Sequence, residues 1–418
     1  MRRFENLAAL APFRVRSYRF QWPADALTSW AFEMETLILG WYVLTETGSV
    51  LWLTVFGSLQ FVGTLLAPLI GVIADRIGRR ALLAIARSGY GVLAALIMVL
   101  AFADLLTATW VLVITFLAGL GRPSDWSMRN ALIGDTMPGS ALAAAMGLNR
   151  MTWDTARIAG ALVGAGLFAV LGIGPAYILV TAFYAAGVWM TIKVMVPPRS
   201  DPESDSESDS GSTSLTGVAA AWHELRESIV FVWHSPTVMA LMALAFLINL
   251  LAFPVTMGLL PHVAKEIYAI DQIGLGHLVA AYAGGALLGS IAMTLTGGPR
   301  RTGKFMLWSI AAWYLGILAV GWQETELSGV AVLVVLGFFQ NTAAIALVVI
   351  LLTVTPEEFR GRVMGVRVLA VYGLPTGLLG YGVLIDWFGF ASAMTVGAVI
   401  GVAVTAYIGV RWREAIWR

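Results

Sequence analysis

The chain contains no cysteine and only four histidines, His223, His234, His262 and His277, none at metal-ligand spacing from another. The first absence excludes thiol chemistry, disulfides, cysteine-ligated zinc and iron–sulfur clusters; the second leaves no metal-binding set, so no metal or other cofactor is expected. Charge is scarce too. Asp, Glu, Lys and Arg together make up 12% of the residues, where soluble domains carry about a quarter. Basic and acidic residues number 26 and 25, so there is no cationic excess of the kind nucleic-acid binding requires. No Gly-x-x-x-x-Gly-Lys-Ser/Thr loop is present for ATP, and no cluster of His, Asp and Ser suggests an enzyme.

What the chain does have is apolar length. Of 418 residues, 59% are hydrophobic, and the mean hydropathy is +0.81. A spanning helix needs ~20 mostly apolar residues. Stretches of that kind lie near residues 22–45, 51–73, 81–103, 107–128, 148–171, 174–196, 236–259, 275–297, 305–323, 327–353, 364–385 and 390–410. Hydropathy alone also allows eleven or thirteen spans. Charge placement argues for twelve: Arg76, Arg79, Arg80, Arg129, Arg199, Arg226, Arg300, Arg301, Lys304, Arg360, Arg362, Arg411 and Arg413 then share one side, and Lys265 is nearly alone on the other. By the positive-inside rule both termini are cytoplasmic. The N-terminus reads as a basic cytosolic lead-in rather than a signal peptide. These features predict an all-α, multi-pass protein of a bacterial cytoplasmic (inner) membrane.

The stretch Arg199–Gly217 is rich in Ser, Asp and Glu and lacks a large apolar residue before Leu215, a composition that cannot bury a core. It divides the chain into residues 1–196, a linker at 197–221, and residues 222–418. The second part opens on Trp222–Pro236, where Leu225, Ile229, Val232 and Trp233 fall on one face of an amphipathic helix. The halves repeat weakly. Pro138 to Gly147 and Pro356 to Gly365 share their spacing at an offset of 218 residues, each opening a span after a cytoplasmic loop. Paired six-span halves about a central site are the sequence pattern of an alternating-access carrier.

The loop after the second span reads GVIADRIGRRALL, Gly71 to Leu83. It resembles the Gly-x-x-x-Asp-Arg-x-Gly-Arg-Arg signature of the major facilitator superfamily at every defining position. Gly71 suits close helix approach and Gly78 a sharp backbone turn. Asp75 suits the positive end of another helix, and Arg76, Arg79 and Arg80 suit carboxylates or lipid phosphates. The resemblance implies two pseudo-symmetric six-helix bundles and a latch between Asp75 and the start of span eleven, near Met364–Arg367. The corresponding loop Gly297–Lys304 has no Asp, so the latch is expected on one side. Within the superfamily, Met34–Ser49, Ala156–Gly166, Leu225–Pro236, Leu259–Tyr268 and Thr355–Gly365 resemble the efflux branch of enterobactin exporters and macrolide efflux proteins. One departure stands out: Gly160 is followed by Ala161, where drug–proton antiporters carry Gly-Pro.

Ionisable groups at membrane depth are functional candidates by default. Asp25, Glu33 and Glu35 lie in span one, with Glu33 nearest its centre and Glu35 about 160° away around the helix. Glu33 is the leading proton carrier, while Asp25 is expected to be solvated near the interface. Arg122 and Asp125 are spaced to pair on one helix face, as are Asp154 and Arg157. Pro123 interrupts the fourth span and frees backbone carbonyls. Trp30, Asn249, Gln340 and Asn341 are candidates for the substrate cavity, the last three equally for helix-to-helix hydrogen bonds. The expected function is secondary export of a small amphipathic or aromatic molecule, the expected partners being that substrate, protons and membrane lipids, in a monomer. An uptake symporter or a non-transporting signalling protein are the alternatives.

Overall fold

The computed structural model describes residues 8–66, 70, 73, 74, 76–196, 230, 232–296 and 301–417. Every regular element among them is helical. That is the economical solution in lipid, where each backbone N–H and C=O must be satisfied inside its own segment. The first half comprises α1 (Arg16–Thr47), α2 (Val50–Leu59), α3 (Arg79–Phe102), α4 (Ala108–Gly119), α5 (Arg122–Thr136), α6 (Gly139–Leu171) and α7 (Ile173–Ile192). The second comprises α8 (Pro236–Leu251), α9 (Gln272–Thr296), α10 (Thr302–Gly321), α11 (Glu326–Val354), α12 (Glu357–Leu369), α13 (Gly373–Phe388) and α14 (Phe390–Arg411).

These helices trace the twelve-span path, four of the spans being interrupted. The second continues from α2 into the 3-10 turn Val62–Leu66. The fourth breaks between α4 and α5, just ahead of Pro123, whose missing N–H costs nothing in the first turn of α5. The seventh runs from α8 through Phe253–Met257 and Leu260–His262 into a π-helical turn, Val263–Ile267; Pro254 and Pro261 supply the interruptions. The eleventh joins α12 to α13 through Ala370–Tyr372. Helices also run past the apolar stretches that announce them: α1 starts at Arg16 and α6 at Gly139, because the backbone ladder continues into the polar zone where hydropathy has already fallen.

On α3 one face buries Leu83, Arg87, Tyr90, Ala94 and Ile97, while Ile85, Val92 and Val99 are exposed at heptad spacing. In a membrane that exposed stripe is the lipid-facing side. Within the halves, α1 packs on α6 and α7, α3 on α7, α9 on α11, and α10 on α11 and α14. Glycine sets the closest of these approaches: a Cβ on Gly337 of α11 would lie 2.1 Å from the carbonyl oxygen of Tyr282 on α9.

The internal repeat at Pro138 and Pro356 extends to two further pairs of helix ends. Thr107 and Thr325 cap α4 and α11, each side chain accepting from the backbone N–H three residues on. Pro138 and Pro356 are the N-cap residues of α6 and α12, with φ/ψ of −65°/145° and −53°/147°. Gly172 and Gly389 turn the chain into α7 and α14 at φ of 81° and 80°, a region that favours glycine. Each pair is 217 or 218 residues apart. The acidic linker and most of Trp222–Pro236 lie outside the described residues.

Between the halves, α2 packs on α13 and α6 on α9. At the first seam, Ser58 Oγ donates to the Pro375 carbonyl at 3.0 Å, and a Cβ on Gly382 would stand 2.2 Å from Thr54 Oγ1. These contacts sit toward the end opposite the chain termini. There Lys265 Nζ also approaches the Leu44 carbonyl at the end of α1, at 3.5 Å. At the terminal end, the principal packing partners of α5 are in the first half and those of α12 in the second. Among the described residues, neither of these two helices has a principal partner across the halves.

Candidate functional site

Three groups of charged side chains occupy the interior. The first, nearest the terminal end, joins α1, α3 and α5. Asp25 Oδ1 pairs with Arg87 Nη2, and its other guanidinium neighbour, Arg129 Nε, is at 3.9 Å. Asp125 Oδ2 takes Arg129 Nη2 at 2.5 Å, and Asp125 Oδ1 lies 3.8 Å from Arg87 Nε. All four residues are buried, Arg87 to 1% exposure. Arg87 also donates to Thr191 Oγ1 at 2.6 Å, and Arg129 to Ser29 Oγ at 2.8 Å. Alternating two acids with two bases is how such charges survive burial, since an uncompensated one costs several kcal/mol.

This arrangement corrects two expectations. Asp25 is not solvated at an interface but buried between two arginines. Asp125 pairs with Arg129, one turn along the same helix at i+4, and not with Arg122. Arg122 lies at the α5 start, where the chain break turns it toward a different acid.

That acid is Glu35, the centre of the second group. Glu35 Oε2 accepts from Arg122 Nη2 and, at 2.6 Å, from the Tyr184 hydroxyl. The Arg122 guanidinium lies 4.6 Å from the Phe32 ring centroid and 5.9 Å from that of Tyr90, both within cation–π range. Asp25, Phe32 and Glu35 repeat at helical spacing and so share one broad side of α1.

The third group lies where the halves meet. Glu33, two residues before Glu35, points the other way and approaches Arg157 Nε at 3.9 Å. Arg157 reaches into the second half: its Nη2 is 3.6 Å from Met257 Sδ, and its guanidinium is 5.0 Å from the Tyr282 ring. Two turns earlier on α6, Arg150 pairs with Asp154 at 3.2 Å and also crosses, with Nη2 3.4 Å from Asn341 Oδ1. Asn341 is fixed by donating to the Ala286 carbonyl at 2.7 Å. The expected pairing of Asp154 with Arg157 is thus replaced by one i, i+4 pair, Arg150 with Asp154, and one cross-helix pair, Arg157 with Glu33. Beside them runs an aromatic stack: Trp126 on Trp153 with centroids 5.0 Å apart at 17°, and Trp153 on Phe32 at 6.0 Å and 30°.

The other candidates lie apart from these groups. Trp30 meets Phe183 edge-to-face at 6.3 Å. Asn249 donates to the Ala245 carbonyl of its own helix, and Gln340 is buried. In the loop motif, Gly78 turns at φ 88°, Arg79 pairs with Asp135 at 2.7 Å, and Arg80 donates to the Val194 carbonyl. Arg76 is exposed, while Gly71 and Asp75 lie outside the described residues. Sequence reasoning passed over Arg87 and Tyr184, and treated Arg129 and Arg157 as parts of cytoplasmic boundaries. Arg87 had a plain signal, a single arginine in the apolar run ALLAIARSGYGV.

No curated protein sequence matches the chain. Solved structures with the same fold include the nucleoside transporter NupG, at TM-score 0.70 and 14% identity over 94% of this chain and 98% of that one. They also include a bacterial homologue of the human lysosomal transporter Spinster, at TM-score 0.71 and 14% identity over 96% and 98%. A D-xylose-proton symporter aligns at TM-score 0.72 and 12% identity over 93% and 96%. The helical path, the repeated helix ends and a match of residues 26–380 to the family model described as Major Facilitator Superfamily lead to one assignment: the chain belongs to that superfamily of membrane transporters.

Proposed function

We propose that the protein exports a small amphipathic or aromatic molecule from a bacterial cytoplasm by alternating access, driven by proton entry. One observation carries this reading: the carboxylates inside the membrane each meet an arginine of the first half, and the partner of Glu33, Arg157, also touches the other half. A proton on Glu33 removes the charge that holds Arg157 on its own side. The guanidinium is then free to strengthen its contact with Tyr282, so proton loading changes what joins the halves. The Asp25–Arg87–Asp125–Arg129 and Glu35–Arg122–Tyr184 groups keep α1 in register while this occurs.

The seams described above fit one end point of such a cycle. With the termini in the cytoplasm, as the arginine distribution favours, the contacts of α2 with α13 and of Lys265 with α1 lie toward the outer side, while α5 and α12 pack within their own halves on the inner side. Asp75 would clasp the Met364–Arg367 stretch of α12 in the opposite state. The D-xylose-proton symporter among the fold neighbours makes a proton a reasonable coupling ion for this architecture, and the stretches resembling efflux proteins favour the outward direction.

The test is accumulation of candidate compounds in a pump-deficient host, with and without a protonophore, for the native chain and Glu33→Gln. The reading expects lowered accumulation that the protonophore restores, and no lowering with Glu33→Gln at equal membrane abundance. Protonophore-sensitive gain of substrate inside the cell would reverse the direction to uptake. Full activity of Glu33→Gln would remove Glu33 from coupling.

A further inference from the structure

The structure assigns a ligand subsite to the Phe32–Trp153–Trp126 stack and the neighbouring Arg150, and its chemistry selects a planar aromatic ring bearing an anionic group. This rests on the transport reading above and narrows its substrate class. Position comes first. On α6, residues 150, 153 and 157 follow the i, i+3, i+7 rule and share one helix face. Arg150 and Arg157 on that face touch Asn341 and Tyr282 of the second half. Trp153 between them therefore fronts the space between the halves rather than lipid. Trp126 lies flat against it and is 44% exposed, so its ring is not closed over by other side chains.

Offset, near-parallel rings are the arrangement aromatic pairs prefer, and a free face at the end of a stack accepts a further planar group. Charge selection follows from exposure. The acids of this region are shielded: side-chain exposure is 9% for Asp154 and 12% for Glu33, each behind its arginine. The Arg150 side chain is 48% exposed. A molecule entering between the halves thus meets a guanidinium first and a carboxylate only by displacing one. Arginine's planar donor fork suits a carboxylate or phosphate, and Asn341, fixed by the Ala286 carbonyl, limits where the guanidinium can swing.

The purified full chain, titrated by calorimetry with 1-naphthoate, 1-naphthol and 1-naphthylmethylammonium, tests this. The three probes share a ring and differ in charge. Naphthoate should bind tightest. Arg150→Gln should weaken naphthoate by about tenfold, the loss expected for one charge-assisted hydrogen bond, and leave naphthol unchanged. Trp153→Leu should weaken naphthoate and naphthol alike by several-fold, with Trp153→Phe retaining most of both. Three results overturn the assignment: the ammonium probe binding as tightly as naphthoate, Arg150→Gln weakening all probes equally, or no saturable binding of any. If those fail while another compound is still moved in a protonophore-sensitive way, the transport reading stands and only the subsite is lost. If naphthoate binds as expected but nothing is moved, the reverse holds.

Discussion

The two halves follow the same helical path with interiors of different character. Among the described residues, the buried charged side chains are Asp25, Glu35, Arg87, Asp125, Arg129 and Asp154, all in the first half. The second half buries uncharged polar groups, including Gln340, Asn341, Ser309 and Thr342. Both halves bring glycine against a backbone carbonyl, as at Gly119 against Leu59 and Gly337 against Tyr282, but among the described residues the second does so without a buried charge. Packing of the second kind is evidently sufficient for the fold. Buried ion pairs contribute little net stability over apolar packing of the same shape, so the first half's charges are best understood through the transport cycle.

Breaking that asymmetry should have its largest effect at the four-charge group. Arg87→Met leaves Asp25 and Asp125 with one arginine between them, and should destabilise the protein by about 3–5 kcal/mol, read as a fall in melting temperature in detergent. Asp25→Leu combined with Arg87→Met removes charge of both signs and should recover most of that loss. A double variant as unstable as the single one would show that the group acts through geometry rather than charge. Glu35→Gln comes next. It strands Arg122 beside Tyr184, and should cost about 1.5–3 kcal/mol together with most of the transport rate.

A substitution at the seam sharpens the comparison from the other side. Gly382→Val places a side chain where Thr54 already stands and should cost about 1–3 kcal/mol in the closed seam. Because the chain lacks cysteine, a single engineered one beside Thr54 should become more reactive in Gly382→Val. Unchanged labelling would mean that this seam does not open. The smallest effect belongs to the second half: Asn341→Leu removes two hydrogen bonds between helices, worth about 0.6 kcal/mol each in a membrane, with little change in melting temperature.

Much of this was legible in the residues. Apolar runs, arginine placement and the Pro138/Pro356 match led to the twelve-span path because each reports a strong local constraint of lipid or of helix starts. The interior acids were also visible, since a carboxylate in an apolar stretch is conspicuous. Their partners were not. Spacing along one helix suggested Arg122 with Asp125 and Asp154 with Arg157, yet Arg122 goes to Glu35 and Arg157 to Glu33. Helical periodicity says which residues share a face, but a neighbouring helix decides what that face meets. The break at Gly121 and the crossing of α6 over α1 are tertiary facts, and they reassign both arginines.

The pairing has an electrical corollary. Asp25 and Asp125 balance Arg87 and Arg129; Glu35 balances Arg122; Glu33 balances Arg157; Asp154 balances Arg150. With every one of these groups ionised, the paired interior charges themselves carry no net charge through the transmembrane voltage when the first half tilts. A single added proton changes that, and each elementary charge moved is worth ~2.3 kcal/mol per 100 mV. In the proton-coupled cycle proposed above, the resting potential would then pull on the protonated carrier and leave the unprotonated one indifferent, so that voltage would rectify that cycle as well as drive it.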